Sequence, residues 1–268
     1  MPPIDIKQHL QAFHEVLEGL NTQLCMSNNG FMLFPDLSHL QNAAINCISN
    51  NNSWQYSLSP MRMKLPYTPK TIPNGAKDIE IQLEVSNTII IHPENEIKDP
   101  FSKLNFDIII TSKKLKAAWH LDKQSQLSKK DKSKSCQIKK QKKRTKSSQD
   151  DKDGTNKYIH PEYHIAFGGN ELDITDAGQL ILLTSPRLMH PPMDVILGID
   201  FIINQFIPYD YAEVILTYPK YKEIVSAMKQ LIWRPYFVSI AHHFQNNLNA
   251  EITFPDANFS NKILGVRQ

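Results

Sequence analysis

Residues 79–85 constrain this chain more than any other stretch: Ile79, Ile81, Leu83 and Val85 alternate with Glu80, Gln82 and Glu84. Successive side chains on a strand point to opposite faces, so this period of two specifies a half-buried strand with one apolar and one wet face. Residues 88–91 continue it as an apolar run. Residues 54–58 and 61–65 read as two short strands about a Ser59-Pro60 turn. Residues 106–111 form another apolar strand, and residues 115–121 alternate again. Consecutive strands joined by short turns predict an antiparallel or mixed sheet and argue against a βαβ array.

Helices flank this central block. Ile6, Leu10, Phe13, Leu17 and Leu20 recur every three or four residues, which predicts an amphipathic helix over 4–20, with His9 and His14 as surface or flanking residues. Asn28-Asn29-Gly30 marks a turn, and a second helix is expected over 37–49 with Asp36 as its cap. Later in the chain, residues 162–167 and 179–184 read as strands. Pro191-Pro192 then opens a mostly buried helix through Phe206. Pro219 opens a helix to Trp233, Pro235 opens another through His242-His243-Phe244, and residues 251–254 return as a short strand. The expected fold is a single α+β domain over 1–268: a central, mostly antiparallel sheet with an N-terminal helix and a C-terminal helical layer.

Residues 123–157 break this pattern. They lack apolar periodicity and are dominated by Lys, Ser and Gln, which predicts a basic, disordered insertion between two strands. Residues 113–157 hold 16 of the 30 Lys and Arg but 5 of the 27 Asp and Glu, leaving 14 basic and 22 acidic residues elsewhere. The net charge of +3 therefore conceals a mildly acidic body and one strongly basic segment. Clustered Lys139, Lys140, Lys142, Lys143 and Arg144 suit neutralisation of phosphates by counterion release. Without interleaved aromatics to stack on bases, the contact expected is with nucleic acid of any sequence. A charged spacer is the competing reading.

Three cysteines, Cys25, Cys47 and Cys136, include no CxxC pair, which points to a reducing compartment. Asp5, Lys7 and His9 interrupt any signal-peptide core, and the apolar run 195–207 is broken by Asp200 and Asn204. A cytoplasmic protein that does not enter the membrane is expected.

The densest collection of reactive side chains lies in residues 158–206. Period two on the strand 162–167 puts Tyr163, Ile165 and Phe167 on the buried face and Glu162 and His164 on the other. On the strand before the insertion, His120 and Asp122 likewise share a face. If these two strands pair, His120, Asp122, Glu162 and His164 form one polar face that Arg187 and His190 could complete. Such a set could serve general-base catalysis or ligate a divalent ion. No HExxH, GxSxG or GxxxxGK[ST] motif accompanies it, so no metal ligand set is assigned and the cofactor is unspecified. The plainer reading makes these residues structural, with His164 bonding a neighbouring strand, His190 capping a loop, and Arg187 pairing with Asp194 or Glu162.

Residues 158–206 resemble a bacterial domain family of unknown function. The likeness rests on His160-Pro161, His164, Gly168-Gly169, Pro186-Arg187, Pro191-Pro192 and the segment 204–206. It implies a bacterial protein associated with defence or mobile elements, and no activity comes with it. The function expected is a binding or accessory component contacting nucleic acid and a protein partner. The rival is a hydrolase or nuclease-type effector using His120, Glu162, His164 and His190.

Overall fold

The computed structural model describes residues 5–27, 31–65, 78–93, 95–112, 116–123, 163–167 and 188–244. Seven strands form one antiparallel sheet in sequence order: β1 (Ile48–Asn50), β2 (Ser53–Lys64), β3 (Glu80–Ile90), β4 (Phe101–Thr111), β5 (Lys116–Lys123), β6 (Tyr163–Phe167) and β7 (Leu188–Met189). The alternating stretch becomes β3, third in that order, with Ile81, Leu83, Val85, Asn87 and Ile89 all buried on one face. The α+β class is as expected, and β5 and β6 pair across the basic insertion, Lys123 opposite Tyr163 and Asp122 opposite His164.

Two departures at the start of the sheet have local causes. Residues 53–64 form one strand, not two. The buried set runs Tyr56, Leu58, then Met61, Met63, and this change of phase is a β-bulge between Leu58 and Met61. The bulge removes Pro60, which has no N–H, from the ladder. The second helix, α2 (Ser38–Ile45), stops short of the expected residue 49 because the chain turns into β1. Asn51 makes that β1–β2 turn at φ 51°, a left-handed conformation Asn tolerates. Asp36 does not cap α2; its carboxylate holds Arg62 of β2 at 2.5 Å and 3.1 Å, which depresses its pKa.

The helices cover the apolar face of the sheet. Helix α1 (Ile6–Ser27) buries Ile6, Leu10, Phe13, Leu17, Leu20 and Leu24, one turn more than the sequence reading allowed. His14 lies on this packed face and is only 7% exposed, against the surface position expected for it. Asn21 is buried too, and its amide exchanges two 3.1 Å hydrogen bonds with the backbone of Phe34, as a strand partner would.

Helix α3 (Val195–Phe206) crosses the sheet at Gly198, where a Cβ would run into the Phe106 ring. It starts later than Pro191-Pro192 suggested. Asp194 is its N-cap and accepts a 2.9 Å bond from Leu197 N. Helices α4 (Tyr209–Leu216), α5 (Pro219–Met228) and α6 (Arg234–Phe244) complete the layer, α5 and α6 being joined by a π turn, Lys229–Trp233. Phe206 stacks on Trp119 of β5 at 5.2 Å, Tyr236 meets Tyr163 of β6 at 6.4 Å, and Tyr221 meets Phe13 of α1 at 5.5 Å. These buried aromatics and aliphatics each contribute about 1.5–3 kcal/mol on leaving water. Among the described residues, no helix is long and apolar enough to cross a membrane. The strands expected at 179–184 and 251–254 lie outside the described residues.

Candidate functional site

The register of β4, β5 and β6 builds the polar cluster. Asp107 stands opposite His120, and Asn105 and His164 flank Asp122 from the two neighbouring strands. Directly opposed residues share a face, so all of them project from the side of the sheet away from α3. His120 lies between two carboxylates, with Nδ1 2.5 Å from Asp107 Oδ1 and Nε2 3.4 Å from Asp122 Oδ2. Asp122 Oδ1 in turn lies 3.1 Å from Nε2 of the buried His164. Asn105 Nδ2 reaches the far oxygen of Asp107 at 3.4 Å.

A neutral imidazole has one donor and one acceptor, whereas an imidazolium has two donors. Carboxylates at both ring nitrogens therefore select the imidazolium. The hydrogen bonds that His120 donates to Asp107 and then Asp122 raise its pKa to about 10. In this state neither nitrogen of His120 has a lone pair to take a proton or bind a cation. What the cluster offers chemically is a fixed positive charge among acidic groups, with Glu84 adding a further carboxylate opposite Asp107. Among the described residues, no group of three or more His, Cys, Asp or Glu side chains is arranged to hold a metal ion.

Of the residues singled out in the sequence, His120 and His164 are brought together through Asp122. His190 is not with them. It follows β7, packs its ring 6.1 Å from Phe201 of α3, and bonds Pro191 O through Nδ1 at 2.7 Å. Burial lowers its pKa, so it is a neutral donor on the helix side of the sheet. Asp194 Oδ2 accepts the Tyr56 hydroxyl at 3.1 Å while Oδ1 caps α3, and the pairing expected with Arg187 involves a residue outside those described. Glu162, Arg187, Lys139, Lys140, Lys142, Lys143, Arg144 and Cys136 lie outside the described residues. Burial pushes the Cys47 thiol up to about 11, which makes it a packing group and a poor nucleophile.

A second polar group lies where the insertion leaves and rejoins the sheet. Lys123 Nζ is 2.5 Å from Asp99 Oδ2 and also donates to Phe101 O. The Tyr163 hydroxyl donates to Asp99 Oδ1, which also accepts Phe101 N at 2.9 Å. Asp99 thus ties the last residue of β5 to the first residue of β6. Sequence reasoning missed it, and also Asp107, because Asp107 acts through the β4–β5 register, Asp99 acts from the segment before β4, and neither belongs to a local motif.

The fold and site define an α+β protein: a seven-stranded antiparallel meander with helices on one face and a row of acidic and imidazole groups on the other. Comparisons of the chain with protein-family models, curated proteins and solved structures give no match.

Proposed function

We propose that this protein is a bacterial binding or accessory component, of a defence or mobile-element system, that contacts nucleic acid without reading its sequence. Lys139, Lys140, Lys142, Lys143 and Arg144 are the contact residues, and a protein partner would meet the acidic body. The observation that carries this reading is the position of the charge. The segment with 16 of the 30 basic residues spans the junction of β5 and β6, and Asp99 clamps the last residue of β5, Lys123, and the first of β6, Tyr163, to one corner of the sheet. The sheet face itself, with Glu84, Asp107 and Asp122, would repel phosphates, which leaves the insertion as the contact.

The hydrolase reading is weaker. His120 is committed as an imidazolium, and His190 is on the other side of the sheet from His164. A general base needs a free lone pair within reach of the reacting group.

A salt titration of DNA and RNA binding tests the proposal, comparing the full chain with a variant whose residues 124–156 are replaced by a short Gly/Ser linker. Five phosphate contacts on duplex DNA predict a slope of about −4.5 in log K against log salt. The variant should lose binding altogether. Equal binding by both proteins, or none by either at low salt, overturns the proposal.

A further inference from the structure

Helix α3 is apolar along nearly its whole length, yet it carries one buried carboxylate, Asp200. A carboxylate taken out of water needs partners on both oxygens. Tyr221 donates to Asp200 Oδ1 at 3.0 Å and Asn204 Nδ2 to the same oxygen at 3.2 Å, while Lys229 Nζ lies 2.9 Å from Oδ2. These groups all line a solvent-open cavity of about 400 Å³ between α3 and α5. Lys222, Ser226 and Lys229 stand along its edge, spaced by four and three residues so that they share one helix face. Lys229 is paired with a carboxylate that is already satisfied from within the protein, and Lys222 adds a second ammonium group to the same lining.

The edge of this cavity is also where the helix departs from α geometry. Lys229 begins the π turn Lys229–Trp233, a rare conformation frequently found at functional sites. The turn sets Lys229 on Asp200 and over the Trp233 ring, 5.2 Å from its centroid, while Trp233 Nε1 donates to Pro192 O at 2.9 Å. Continuing as a plain α-helix would rotate residues beyond Lys229 by about 100°, one residue's worth of turn, and carry the Trp233 ring away from the Lys229 ammonium.

We propose that this cavity is a binding site for a small organic anion, a carboxylate or a phosphate monoester. The ammonium groups of Lys222 and Lys229 and the Ser226 hydroxyl are its donors, and Asp200 acts as the positioning residue that fixes Lys229. The volume falls within the roughly 300–1,000 Å³ of small-ligand pockets. No residue of the basic insertion takes part, so this site and the nucleic-acid reading stand or fall separately.

The test is a pair of titrations of the full-length protein, with inorganic phosphate and with acetate, at constant ionic strength. They are followed through the indole N–H of Trp233, assigned from Trp233→Phe. The proposal expects a saturable shift of this resonance with at least one probe, and the probe that saturates assigns the anion class. Lys222→Ala, which leaves every partner of Asp200 in place, should raise the half-saturating concentration by about tenfold or more. Shifts that grow linearly with both probes without saturating, or one that saturates identically in Lys222→Ala, overturn the proposal. Anion binding confined to the basic insertion would leave the Trp233 resonance unmoved, and that outcome also counts against it.

Discussion

Asp194 has the sharpest consequences of any single residue. It is fully buried, and desolvation raises its pKa from 3.8 to about 6 despite the bonds from Leu197 N and Tyr56. A raised carboxyl binds a proton more tightly in the folded state, so its contribution to stability is complete below about 3.8 and is lost as pH rises to about 6. Asp194→Asn keeps a capping oxygen and removes that slope, so its stability relative to wild type should improve between about pH 4 and about pH 7 in urea unfolding. Asp194→Ala loses the cap and the carboxylate that accepts the Tyr56 hydroxyl, costing about 2–4 kcal/mol. His120 gives a second pH window. Its pKa rises from 6.5 to about 10, so the stability it lends is full below about 6.5 and disappears as pH climbs to about 10. His120→Gln should flatten the fall in unfolding midpoint across that alkaline window; an unchanged profile would show that the two carboxylates do not hold the charge. His120 and His164 were legible in the sequence because period two placed them on a common face. Asp107 was not, since only the β4–β5 register brings it opposite His120.

At the scale of elements, the legible parts were those whose burial repeats without interruption. The alternation of β3 and the three-and-four spacing of α1 each survive whole in the structure. The misread boundaries fall where one local device shifts the phase: the bulge at Ser59-Pro60, the left-handed Asn51, and the Asp194 cap two residues beyond Pro192. Each follows from chemistry visible in the sequence, but choosing among turns requires knowing the strand on the other side. Gly198 belongs to this scale as well. In a helix interior Ala is normally favoured over Gly by about 1 kcal/mol, yet here the missing Cβ lets α3 approach Phe106 and Leu83. Gly198→Ala should therefore destabilise by about 1–3 kcal/mol, with overpacking outweighing propensity. Adding Phe106→Leu should recover part of that loss, because the overlap is with the Phe106 ring alone. Additive losses in the double variant would separate the helix contact from the ring.

For the whole molecule, the question is whether the basic insertion is structurally separable from the sheet that carries it. Lys123 and Tyr163 are direct partners across β5 and β6, and Asp99 binds both, so the two ends of the connection are held together at the sheet. Shortening a connection between two ends already held together lowers the closure entropy by about 0.6 kcal/mol per halving of length. Replacing residues 124–156 with a linker of about six residues should thus leave thermal stability unchanged or raised by about 1–2 kcal/mol. The replaced stretch carries 11 basic and 4 acidic residues, so the net charge moves from +3 to −4. A folded variant that has exchanged a basic for an acidic character should elute from an anion exchanger at higher salt than the full chain and lose its affinity for a cation exchanger. Asp99→Asn weakens the clamp while leaving the insertion intact, and it should lower stability more than removing the insertion does. If the linker variant instead unfolds while Asp99→Asn is tolerated, residues 124–156 support the sheet directly and their charge was retained for folding, not for a partner.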